Sequence, residues 1–184
     1  MNLEIRTLIS PISNGDGNTL HGYASVFNSL SEPLNDIAGN PFVEVVRPNS
    51  FDLSRNIRGL YNHNDGELLA TTASGNLKLY QDDRGLKFSL SLPDTQRAAD
   101  IKELVSRGDL NGMSIGYYVT SSKWGRHGDM PLHEVSGIDL LEVSVVPFPA
   151  FPKTSVNLRS CLLNSEPITL NKNRQLLEIM KLYV

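Results

Sequence analysis

One serine is framed by small and apolar residues, Gly112-Met113-Ser114-Ile115-Gly116. A serine hydroxyl is a poor nucleophile until a neighbouring base takes its proton. The base in turn needs a third group that fixes its tautomer and stabilises its charged form. His63, in Tyr61-Asn62-His63-Asn64-Asp65, has the chemistry of the base, and Glu142, in Leu140-Leu141-Glu142-Val143-Ser144, that of the orienting acid. Asp139 competes for the last role. Three positions along a regular strand reverse the face, so only one of the two acids shares a face with Ser144 and Val146, and Glu142 is the choice. Each residue also has an ordinary explanation. A serine among small strand residues is more often structural, and a lone histidine in a polar turn is usually a surface residue. A carboxylate in an alternating strand fits a solvated sheet face. The histidines His21, His63, His127 and His133 raise a metal-dependent hydrolase as a rival, but they are far apart and lack a close pair such as His-x-x-x-His.

These side chains need strands and turns to hold them. Residues 95–107 carry Ala98, Ile101, Leu104 and Val105 at helical spacing, with Asp94 or Thr95 to cap the start and Gly108 to end it. Met113, Ile115, Tyr117 and Val119 then alternate with Ser114, Gly116, Tyr118 and Thr120. Ser114 therefore opens a strand, on the face opposite the Met–Ile–Tyr row, and Gly112 and Gly116 leave room there for another chain or a ligand. Residues 121–131, with Trp124 and His127, read as a loop, and 132–135 and 137–146 as two more strands. Near the start, Leu3–Ile9 and residues 20–27 alternate and predict a hairpin across the turn at 13–18. Residues 28–41 read as a long loop, 42–46 as a short strand and 51–53 as a brief helix. The clearest hairpin spans 75–92, where Leu77 and Leu79 meet Leu86, Phe88, Leu90 and Leu92 across a turn of Asp82, Asp83 and Gly85. Pro147, Pro149 and Pro152 end the sheet region, since proline lacks the ladder donor. Residues 1–156 thus form one domain. Residues 157–184 form a polar linker and a short amphipathic helix with Leu176, Met180 and Tyr183 at helical spacing.

Composition narrows the class. The chain has 184 residues, 40% of them hydrophobic, enough for one domain with a core. A net charge of −3 carries no nucleic-acid footprint. No apolar run approaches the roughly 20 residues a membrane span needs. The start, MNLEIRTLIS, lacks the basic and apolar regions of a signal peptide. The single cysteine, Cys161, forms neither an internal disulfide nor a multi-cysteine zinc site and fits an intracellular setting.

Longer segments are more specific than the three residues. They are GYASVFN at 22–28, EVVRPNSF at 44–51, LYNHN at 60–64, DDRGLKFSLSLPDT at 82–95, DIKELVSRGDLNGMSIGYYV at 100–119 and DLLEVSVVPFPAFPKTSV at 139–156. In this order the chain resembles the prohead maturation proteases of tailed bacteriophages, a serine peptidase family related in fold to the herpesvirus assemblins. The resemblance implies a mainly β fold with peripheral helices, built as a compact antiparallel β-barrel. It implies a catalytic set of His63, Ser114 and Glu142, without cofactor or metal. It also implies an endopeptidase that works inside the assembling prohead in the host cytoplasm, with the major capsid protein and scaffold as substrates. Self-association, cleavage of the chain's own tail, and no nucleic-acid or membrane partner belong to the same expectation. The chain departs from the family pattern at Asn64, where an aspartate is common, and at Asn49-Ser50, where Gly-Ala is common. Residues 65–73 also differ, which bears on the shape of a substrate-facing loop. The alternative is a non-catalytic head component that keeps the fold as a scaffold-binding module. Loss of His63 or Ser114 would favour it, and both are present.

Overall fold

The computed structural model describes residues 3–9, 12–14, 17–36 and 38–147. The predicted linker and terminal helix lie outside the described residues. Two long strands, β11 (Gly112–His127) and β12 (Met130–Val146), dominate the fold. They form one antiparallel hairpin from Gly112↔Val146 to His127↔Met130, turning at Gly128, whose φ is +59°. The predicted loop at 121–131 is therefore the far end of this hairpin. Residues 121–129 are exposed, so no apolar alternation was present there to mark a strand.

The first strand, β1 (Leu3–Ile9), pairs with β11, setting Thr7 opposite Ser114. Alternation identified β1 as a strand but not its partner. The predicted hairpin with β3 (Thr19–Val26) does not form, and β2 (Ser13–Asn14) pairs with β3 instead. The other edge of β12 receives three parallel strands in succession: β5 (Pro41–Val46), β6 (Phe51–Asp52) and β7 (Arg58–Tyr61). The brief helix predicted at 51–53 is thus a strand. Within the predicted long loop, β4 (Leu34–Asn35) adds to β5, and β8 (Asn64–Thr71) pairs with β7.

The smaller sheet runs β2, β3, β10 (Gly85–Ser91), β9 (Leu77–Gln81). Its β9–β10 hairpin is the one predicted, with Leu79 opposite Phe88 and Leu77 opposite Leu90. The single helix among the described residues, α1 (Gln96–Arg107), starts where Thr95 Oγ1 accepts from the Ala98 N–H at 3.3 Å. Such a cap is worth about 1 kcal/mol. Gly108, at φ +79°, ends the helix in the left-handed region, and Ala98, Ile101 and Val105 are buried beneath it.

The architecture is mainly β, as predicted. Among the described residues, however, the strands form two sheets rather than one closed antiparallel barrel, and the larger sheet is mixed. The parallel strands docked along β12 are what make the larger sheet mixed. The core lies between the sheets, where Leu20, Phe88 and Leu90 meet Met113, Ile115, Val143 and Val145. Gly59 belongs to this layer, since a Cβ there would stand 2.9 Å from Leu90 Cδ1. Gly59, Val143 and Ile115 are register partners facing the smaller sheet. The next row, Leu60, Ser144 and Ser114, therefore faces the other way.

Candidate active site

Ser144 of that second row contacts both His63 and Glu142, and Ser114 is its partner on the neighbouring strand. β7 and β8 are joined by two residues, Asn62 and His63, with φ of +51° and +56°. Positive φ at both central residues is the signature of the tight hairpin turn that matches strand twist, and Asn-Gly is its favoured sequence. A histidine in glycine's position is strained, by about 1–2 kcal/mol for a left-handed L-residue. β12 holds the tip in place: the Asn62 N–H donates to Val145 O at 2.9 Å and the His63 N–H to Ser144 Oγ at 3.2 Å.

From this tip the His63 ring reaches Glu142, with Nδ1 2.5 Å from Oε1. The other carboxylate oxygen, Oε2, accepts from the Ser144 hydroxyl, also at 2.5 Å. Both side chains are largely buried, 12% exposed for His63 and 10% for Glu142. Glu142 is thus a hydrogen-bonded carboxylate and not part of a solvated face. Its register partner is Gly116, where a Cβ would stand 2.6 Å from Oε1 and 2.9 Å from Cγ. The room predicted at Gly116 for a ligand is filled from within the chain. Val146 similarly fills the space at Gly112.

Ser114 is fully buried and directly opposite Ser144 on the neighbouring strand. Direct partners across an antiparallel pair hold their Cβ atoms about 4.5–5.5 Å apart. Ser114 is therefore a near neighbour of the hydroxyl that touches both His63 and Glu142. Asp139 lies elsewhere, 2.8 Å from Arg55 Nε as an ion pair whose N–H is not aimed along the contact. Simple alternation does not separate the two acids, however. A register slip after Gly116 sets Glu142 opposite Gly116 and Asp139 opposite Tyr118, two residues apart on β11. Position along β12 and choice of partner separate them.

Ser144 and Gly116 also line this arrangement, one through its hydroxyl and the other through the space it leaves, which their residue types alone did not reveal. The available signal was spacing: Ser144 is two residues past Glu142, and Gly116 two past Ser114. The remaining histidines do not converge on the site, His21 lying in β3 and His127 at the end of β11. Among the described residues no group of three or more His, Cys, Asp or Glu side chains could hold a metal.

His133 makes a second pair, its Nδ1 2.9 Å from Glu44 Oε2. Glu44 Oε1 accepts from the Tyr117 hydroxyl at 2.9 Å. Trp124 stacks on the His133 ring at 4.5 Å between centroids. Beside it, the hydrogen bond from Arg47 holds the Glu134 carboxyl below the usual carboxylate range, with Lys123 adding to the effect.

A family model described as caudovirus prohead serine protease matches residues 3–166. The match contains His63, Ser114 and Glu142, and it runs past the predicted domain end at 156. Comparison with curated proteins and with solved structures returns no match. With the match covering most of the 184 residues, the chain belongs to the caudovirus prohead serine protease family.

Proposed function

We propose that the protein is a serine endopeptidase of the prohead in which Ser114 is the nucleophile, His63 the general base and Glu142 the group that orients His63. The observation that carries the reading is the 2.5 Å contact between His63 Nδ1 and Glu142 Oε1, beside the strand that holds Ser114. With Nδ1–H donating to Glu142, Nε2 has the lone pair that accepts the serine proton. Ser114 Oγ then attacks the scissile carbonyl, and His63 returns the proton to the leaving amine. Water repeats the sequence on the acyl-enzyme. Glu142 stabilises the imidazolium without taking its proton. Backbone N–H groups near Ser114 supply the stabilisation of the oxyanion. Because Ser114 has no exposed surface, acylation requires the face above it to open to substrate.

The proposed substrates are the scaffold, or the scaffolding segment of the major capsid protein, and the chain's own tail from residue 157 onward. The site of action is the assembling prohead inside the host cell. Among the described residues no helix is long and apolar enough to cross a membrane. The test is coexpression with the phage's capsid protein, read by intact mass, for wild type and Ser114→Ala. The expected result is shortened capsid protein and a shortened tail with wild type, and full-length masses with the variant. Wild-type-like cleavage by folded Ser114→Ala would reject the reading. Capsid cleavage with the tail retained would reject only self-processing.

A further inference from the structure

We infer that Ser144 is a positioning residue that locks both partners of the His63–Glu142 pair through one hydroxyl. The inference rests on the catalytic reading for its meaning, but its geometry stands independently. Ser144 Oγ donates to Glu142 Oε2 at 2.5 Å and accepts from the His63 backbone N–H at 3.2 Å. A hydroxyl has one proton to give and lone pairs to receive, so both bonds form together. The first bond leaves Oε1 as the oxygen turned to His63 Nδ1. The second pins the backbone of a residue whose φ of +56° is intrinsically unfavourable. The side chain is fully buried, so water does not replace the hydroxyl when it is lost. Ser144 also stands opposite Ser114, which ties the pair to the register of the nucleophile's strand. Threonine is the only other common residue with an oxygen at this position and reach, and alanine has the size without the oxygen.

The experiment follows phosphonylation of Ser114 by a fluorophosphonate probe, using mass spectrometry on the full chain. Ser144→Ala is expected to lower the limiting labelling rate about 10- to 100-fold, the cost of displacing a catalytic group by about 1 Å. The half-saturating probe concentration should change by less than about twofold, because no probe contact is removed. Ser144→Thr should recover most of the rate. In parallel, the His63 Nδ1 proton is observed by NMR in a Ser114→Ala background. Adding Ser144→Ala should shift or broaden that resonance, and adding Ser144→Thr should leave it in place. An unchanged resonance with Ser144→Ala would overturn the inference, as would wild-type labelling by the folded variant. If wild type is not labelled at Ser114, the catalytic reading fails, and the NMR result alone decides whether Ser144 holds the pair.

Discussion

Among the described residues, two histidine–glutamate pairs have nearly the same chemistry. In each, histidine Nδ1 meets a carboxylate oxygen, at 2.5 Å for His63–Glu142 and 2.9 Å for His133–Glu44. In each, a hydroxyl donates to the second oxygen, from Ser144 in one and Tyr117 in the other. Both histidines are 12% exposed. The surroundings differ. His63 lies in a strained turn bonded to Ser144, the cross-strand partner of Ser114, whereas His133 lies within β12, stacked on Trp124 and beside Phe42. The geometry of a His–Glu pair alone therefore does not tell the two apart. What distinguishes the first pair is Ser114 opposite Ser144, the residue that contacts both partners, and the positive φ of His63. The other pair is explained by the need to satisfy a buried carboxylate on β5.

The largest expected effect contrasts the carboxylates. Glu142→Gln should lower kcat by about 10³–10⁴-fold with the fold kept, because an amide oxygen no longer stabilises the imidazolium and the tautomer is disturbed. Glu44→Gln should reduce thermal stability and leave turnover near wild type. Asp139→Asn should be mild in turnover. If Glu44→Gln or Asp139→Asn cripples turnover while Glu142→Gln does not, Glu142 is not the acid that supports catalysis.

Gly116→Ala tests the room left for one carboxylate. The new Cβ would meet Glu142 Oε1 at 2.6 Å across two backbones held by the sheet, so the carboxylate must move. An activity loss of about 10- to 100-fold is expected. Steady-state kinetics beside a thermal melt would separate this from unfolding, and unchanged kinetics would mean that Glu142 tolerates displacement.

Tyr117→Phe removes the hydroxyl from the second pair. Glu44 loses one of its buried hydrogen bonds, at a cost of about 1–3 kcal/mol. Denaturant unfolding should show this loss while turnover stays within about twofold, the opposite pattern to Ser144→Ala. A turnover defect as large as that of Ser144→Ala would erase the distinction between the two hydroxyls.

The smallest effect is an order of stabilities. At position 63, glycine should be more stable than alanine by about 1 kcal/mol, because both lose the imidazole and only glycine accepts the positive φ without cost. At position 133, in an extended strand, alanine should be more stable than glycine by about 0.5–1 kcal/mol. The same order at both positions, measured by urea unfolding, would show that the turn strain at His63 is not real.

The sequence carried the local rules and not the long-range ones. The α1 caps, the β9–β10 hairpin and the strand opening at Ser114 follow from short-range chemistry that a single chain displays. His63 was readable as a turn residue because Asn62 and Asn64 flank it. Strand partnership was not readable, since the alternation in β1 fits β3 and β11 equally well. The parallel docking of β7 on β12, which brings His63 to Glu142, leaves no local mark. Nor did anything local reveal the register slip after Gly116, so face arguments across it failed for Asp139. The second pair was invisible because Glu44 and His133 are ordinary residues of two separate strands until register sets them opposite each other.

Covalent trapping of Ser114 tests the central claim most directly. A fluorophosphonate probe added to cleavage-competent protein, followed by peptide mapping, should place a single phosphonyl group on Ser114. His63→Ala should abolish the label, and His133→Ala should leave it at the wild-type rate. Active protein that remains unlabelled at Ser114, or labelling that is as fast without His63 as with it, would contradict the account.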